Sequence, residues 1–87
     1  MKLMFVIVRD VDAENIVQEL VDKGYRITRV ASTGGFLRRG NVTLMLGVES
    51  EKVQTVLDLL HASCGPAEKG QHRATIFVVD MPYFEQI

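Results

Sequence analysis

Tyr25-Arg26-Ile27-Thr28-Arg29-Val30-Ala31 and Asn41-Val42-Thr43-Leu44-Met45-Leu46-Gly47-Val48 are two strand patterns in succession, joined by Ser32-Thr33-Gly34-Gly35-Phe36-Leu37-Arg38-Arg39-Gly40. The first alternates, with Tyr25, Ile27, Arg29 and Ala31 on one face and Arg26, Thr28 and Val30 on the other. Neither face is cleanly apolar, which is the pattern of a strand bordering a pocket or a subunit contact. In the second, Gly47 interrupts an apolar run and marks a bulge or the close approach of another group.

Upstream of this pair, Lys2 to Val8 is a continuous apolar run rich in β-branched residues, read as a strand buried on both faces. Asp10-Val11-Asp12 then offers carboxylates to cap a helix. Ala13, Ile16, Val17, Leu20 and Val21 recur at helical spacing, and Gly24 stops the helix. Downstream, Ser50 begins a second helix with Val53, Val56, Leu57 and Leu60 on its apolar stripe, closed by Gly65-Pro66. Residues 67–73 read as a polar loop and residues 74–79 as a fourth strand, with Pro82 at its end or edge. The tail Tyr83-Phe84-Glu85-Gln86-Ile87 is too apolar to leave in water, so it is expected to dock on the fold or on a neighbouring subunit. This β-α-β-β-α-β order predicts an α+β fold: one four-stranded antiparallel sheet with two helices on one face, the ferredoxin-like arrangement, as one domain over residues 1–87.

The chain has 87 residues, of which 47% are hydrophobic. So small a chain buries only about 60% of its extended surface, and an uncovered sheet face then calls for a partner copy. With 10 basic and 11 acidic residues there is no basic field to hold nucleic acid. Arg9 and Asp10 interrupt the first apolar run too early for a signal sequence or a membrane span. Cys64 is the sole cysteine, which excludes an internal disulfide and fits a reducing cytoplasm.

Residues 33–41 hold three glycines, two arginines, Phe36 and Asn41, more glycine than a chain reversal needs. Glycines admit a ligand close to backbone N–H groups, arginines pair with phosphate, and an aromatic ring stacks on a base. The combination suits an anionic, ring-containing small molecule; the alternative is a long hairpin connection whose glycines merely permit positive φ. No Lys-Ser/Thr follows and a strand comes next, so this is neither a P-loop nor a dinucleotide fingerprint. Arg26 and Thr28, two apart on one strand face, either contact one ligand together or face solvent. Asn41 either begins its strand or reads the edge of a base.

His61, Cys64 and His72 do not make a convincing metal set, since the third ligand lies in a loop and a fourth is missing. The pairs Asp10 with Asp12 and Glu49 with Glu51 read as caps and solvated faces, and no nucleophile sits on an elbow. Enzyme chemistry therefore has no positive support. Acylphosphatases share the element order, but their phosphate loop joins the first strand to the first helix, and Val8-Arg9-Asp10-Val11-Asp12 is acidic and lacks glycine there.

Arg26, Thr28, Ala31, Thr33-Gly34-Gly35-Phe36-Leu37-Arg38, Gly40-Asn41, Thr43, Gly47-Val48-Glu49 and Val53 together resemble the bacterial PII-like cyclic-di-AMP receptor proteins. The likeness resumes at Ala74-Thr75, Phe77-Val78 and Phe84-Glu85-Gln86. It implies a cytoplasmic homotrimer that is not an enzyme and binds cyclic di-AMP or a related adenine nucleotide between subunits, without a cofactor, to signal to a downstream protein. By position, Arg26 would face phosphate, with Thr28 and Asn41 as polar contacts. Gly35, Phe36 and Leu37 would wrap an adenine, and Gly47 would let it approach; Thr33, Gly34 and Arg38 complete the expected site. The chain departs from the family in its short residue 65–73 connection, in His72-Arg73 where Gly-Gly is usual, and in Gly24 where a polar residue can help bind ligand. A trimer of the same fold that has lost nucleotide binding is the alternative reading.

Overall fold

The computed structural model describes residues 1–30, 40–67 and 72–87. In chain order it contains β1 (Lys2–Arg9), α1 (Asp10–Asp22), β2 (Thr28–Val30), β3 (Asn41–Val48), a 3-10 turn at Ser50–Lys52, α2 (Val53–Ser63) and β4 (Ala74–Asp80). The sheet order is β2-β3-β1-β4, every neighbouring pair antiparallel. This is the ferredoxin-like βαββαβ arrangement that the sequence pattern predicts.

The pleat of β1 separates the molecule into two sides. Met4, Val6 and Val8 are buried with Leu44, Leu46 and Val48 of β3, Ala13, Ile16 and Leu20 of α1, and Val56 and Leu60 of α2. Because both helices feed this one cluster, both lie on the same face of the sheet. Burying a side chain of this size contributes about 1.5–3 kcal/mol. The alternate residues Leu3, Phe5 and Ile7 point the other way and are half-buried. There Phe5 sits between Met45 and Phe77, and Ile7 between Thr43 and Thr75. Phe77 and Val79 keep 54% and 44% of their surface in water. Burial of β1 on both faces is thus realised on one face only, since among the described residues no helix covers the second.

Three local expectations change. Val21 is exposed rather than core, so the stripe of α1 ends at Leu20. Pairing of β2 begins only at Thr28, because the Tyr25 N–H is committed to the Leu20 carbonyl (3.0 Å) and the Gly24 N–H to that of Val21 (2.9 Å). These two bonds form a Schellman ending, with Gly24 at φ +91°, a conformation that costs other residues more than glycine. The tail keeps Tyr83, Phe84 and Ile87 largely in water on the single chain, although Phe84 and Gln86 reach a cavity on the sheet. Lastly, α1 has no side-chain cap.

Instead of capping its helix, Asp12 joins the two ends of the fold. Its carboxylate accepts from Arg9 Nε (2.8 Å) and from the Gly65 N–H (2.9 Å), while the Arg9 guanidinium donates to the carbonyls of Gly65 (3.1 Å) and Pro66 (2.9 Å). Asp12 is 6% exposed, so this is a buried, fully partnered pair. The Asp10 N–H next to it donates to the Gly40 carbonyl (2.7 Å). One turn of chain therefore fixes both the base of β3 and the exit of α2.

Burial disfavours the charged form of Asp12, but the Gly65 N–H, the Arg9 hydrogen bond and the charges of Arg9 and Arg73 outweigh it and hold the carboxyl below its ordinary range. Asp12→Ala is expected to lower unfolding free energy at pH 7 by about 3 kcal/mol, the usual cost of orphaning a buried partner, as read by urea denaturation. A depressed folded-state value means that this contribution is present above the unfolded pKa of about 3.9 and is lost as pH falls through the folded value. The difference between wild type and Asp12→Ala should therefore shrink below pH 4. A gap that stays constant down to pH 2 would contradict this assignment.

Candidate functional site

The Schellman ending of α1 sets the site's geometry. After Gly24 the chain enters extended backbone with Tyr25 and Ile27 packed against the core, which sends Arg26 and Thr28 to the open side. Thr28 pairs with Met45, so β3 presents Met45 and Gly47 on the same side. Arg26, Thr28 and Gly47 thereby line one cavity of about 610 Å³ on the open side of the sheet, together with Met45, Met81 and Phe84.

The two arginines around β2 have different fates. Arg29 lies opposite Leu44 on the helix side and is paired with Glu14 of α1. Arg26, one pleat reversed, is exposed and lies in the cavity, and among the described residues no carboxylate pairs with it. A guanidinium so placed suits an anion, since it can offer two parallel donors to phosphate oxygens. Thr28 adds a hydroxyl. Gly47 adds bare backbone, and Met45 and Phe84 supply apolar wall.

Of the ten predicted site residues, the structure brings Arg26, Thr28 and Gly47 together. Asn41 is half-buried at the start of β3 and does not line this cavity. Thr33, Gly34, Gly35, Phe36, Leu37 and Arg38 lie outside the described residues. Thr43 was not singled out as a site residue, yet it is 8% exposed and its hydroxyl has no hydrogen-bond partner among the described residues. Met45 was legible from its parity with Gly47. Met81 was not, because only the pairing of Lys2 with Asp80 brings it beside Met1 and Gly47.

The chain belongs to the cyclic-di-AMP receptor family, whose model matches residues 1–71. It is also similar to a functionally unknown protein from Pediococcus pentosaceus ATCC 25745, whose crystal structure matches at a TM-score of 0.79 and 33% identity, covering 99% of this chain and 96% of that one.

A second, smaller cavity of about 220 Å³ straddles the end of the family match. His61, Cys64, His72 and Arg73 line it with apolar residues of α2 and β4. Among the described residues no group of three or more His, Cys, Asp or Glu is placed to hold a metal ion. Burial pushes the Cys64 thiol up and the Asp12 charge adds to this, against the opposing pull of Arg73 and Arg9. Thiolate is the reactive form, so iodoacetamide at pH 8 should alkylate Cys64 more slowly than a free cysteine. Asp12→Asn should speed the reaction. Alkylation at the free-cysteine rate would show that the thiol is not shielded.

Proposed function

We propose that this protein is a non-enzymatic receptor that binds cyclic di-AMP, or a related adenine nucleotide, between the subunits of a homotrimer. The observation that carries this reading is the convergence of Arg26, Thr28 and Gly47 on one cavity in a chain of the cyclic-di-AMP receptor family. Arg26 would neutralise a phosphate and Thr28 would donate to it. The backbone at Gly47 would take one flat side of a base. Thr33, Gly34, Gly35, Phe36, Leu37, Arg38 and Asn41 would complete the enclosure.

The open side of the sheet supports the trimer. Phe5, Met45, Phe77 and Val79 form an apolar surface beside the cavity, and a second copy is the simplest cover for it. Ligand contact with residues 34–40 would then shift which surface the assembly offers to a downstream protein in the cytoplasm. No cofactor or chemical step belongs to this mechanism.

Isothermal titration of cyclic di-AMP, with cyclic di-GMP, ATP and AMP as controls, tests the reading directly. Binding at micromolar strength is expected, about −8 kcal/mol. Arg26→Ala should weaken it by at least about tenfold, the loss of one charge-assisted hydrogen bond. Sedimentation equilibrium should give three times the 9.8 kDa chain mass. A trimer that ignores every nucleotide would instead be an interaction module of the same fold.

A further inference from the structure

Gly47 is the point in the cavity where bare backbone is most useful to a ring, yet that space is occupied. A Cβ built on Gly47 would lie 3.1 Å from the Met81 methyl and 3.6 Å from the Met1 methyl. Two thioether side chains thus converge on the one residue of β3 that has no side chain. Their backbones are tied together, since the Met81 N–H donates to the Met1 carbonyl (3.0 Å) directly beyond the last β1–β4 pair, Lys2 with Asp80. The side chain of Met81 is half-buried and lines the cavity that holds Arg26 and Thr28. Its root is therefore fixed while its three terminal torsions remain available.

We infer that Met81 is a displaceable plug of the nucleotide cavity, its methyl holding the place over Gly47 that an aromatic ring takes on binding. The inference rests on the nucleotide-binding reading above and adds a specificity determinant to it. Methionine is unbranched and flexible, so it can leave Gly47 and swing toward solvent without backbone movement. An apolar ring replaces the methyl with little loss of apolar contact. A bare phosphate or a ribose does not, because it would leave Gly47 and Leu3 facing a polar group without compensation. The plug therefore selects for ligands that carry a base, independently of the charge that Arg26 selects.

The test uses the full chain labelled with 13C at the methionine methyls, of which there are four. Met4 is fully buried on the helix side and serves as the internal control. On titration with cyclic di-AMP or AMP the Met81 and Met1 signals should shift by ring current while Met4 stays still, and inorganic phosphate should move neither. Met81→Ala should tighten cyclic di-AMP binding about four- to fifteenfold, the factor for no longer re-exposing one or two methylene-sized groups. Met81→Ile, of similar bulk but branched at Cβ, should weaken it. Binding that leaves the Met81 signal unmoved, or that weakens in Met81→Ala, overturns the plug while leaving the receptor reading intact. Failure of the wild-type protein to bind any nucleotide overturns both, and is told apart because no variant is needed to see it.

Discussion

A strand in the middle of a sheet must give its side chains two different environments, and in this chain β1 occupies that middle position. Its hydrogen bonds to β3 on one side and β4 on the other fix a register in which Met4, Val6 and Val8 face the helices. A slip of one residue would put Leu3, Phe5 and Ile7 there and turn every paired residue of β3 and β4 with them. The partition of the molecule into a filled side and an open side follows from that register. So does the site, because Arg26, Thr28 and Gly47 reach a common cavity only when β2 and β3 keep their parity relative to β1.

The fold was legible because its signals are local. Helical spacing from Ala13 to Leu20, alternation through Tyr25 to Val30 and the glycine at position 24 each report on a few consecutive residues. Alternation alone told Arg26 from Arg29, and the structure gives these neighbours different employment: one in the cavity, the other paired with Glu14. What was not legible depends on distant residues. Asp12 resembles a helix cap by position, but its partner is the Gly65 N–H, 53 residues away. A cap and a buried clasp look alike in sequence, since both need a carboxylate in the first turn. Met81 and the exposure of the tail are hidden for the same reason.

The Arg9–Asp12 pair also explains how so short a chain keeps its two helices in place. The helices touch each other, and Asn15 of α1 donates to the Ser63 carbonyl at the end of α2 (2.9 Å). Without the clasp, the exit of α2 would rest on that single bond and on apolar contact from residues such as Val56 and Leu60, and apolar contact holds a helix down without fixing its rotation. Directional bonds to Gly65 and Pro66 supply that orientation. The same turn holds Gly40 through the Asp10 N–H, so the base of β3 and the start of the connection to β4 are referenced to one rigid point.

The open side carries two demands at once. Its apolar rows through Phe5 and Phe77 favour coverage by another copy, whereas the cavity at Gly47 must stay reachable by a ligand. Under the proposed function these demands are compatible because they take different ends of one row: Thr28 and Met45 line the cavity, while Phe5 and Phe77 continue the row away from it. A neighbouring copy seated on Phe5 and Phe77 would border the cavity without filling it, and would add walls to a site that one chain leaves open. The ligand would then stabilise the assembly by mass action, since it binds fully only where two chains meet. A small protein with its core on one side of the sheet and apolar rows on the other would in this way make its second covered face and its binding site out of the same contact.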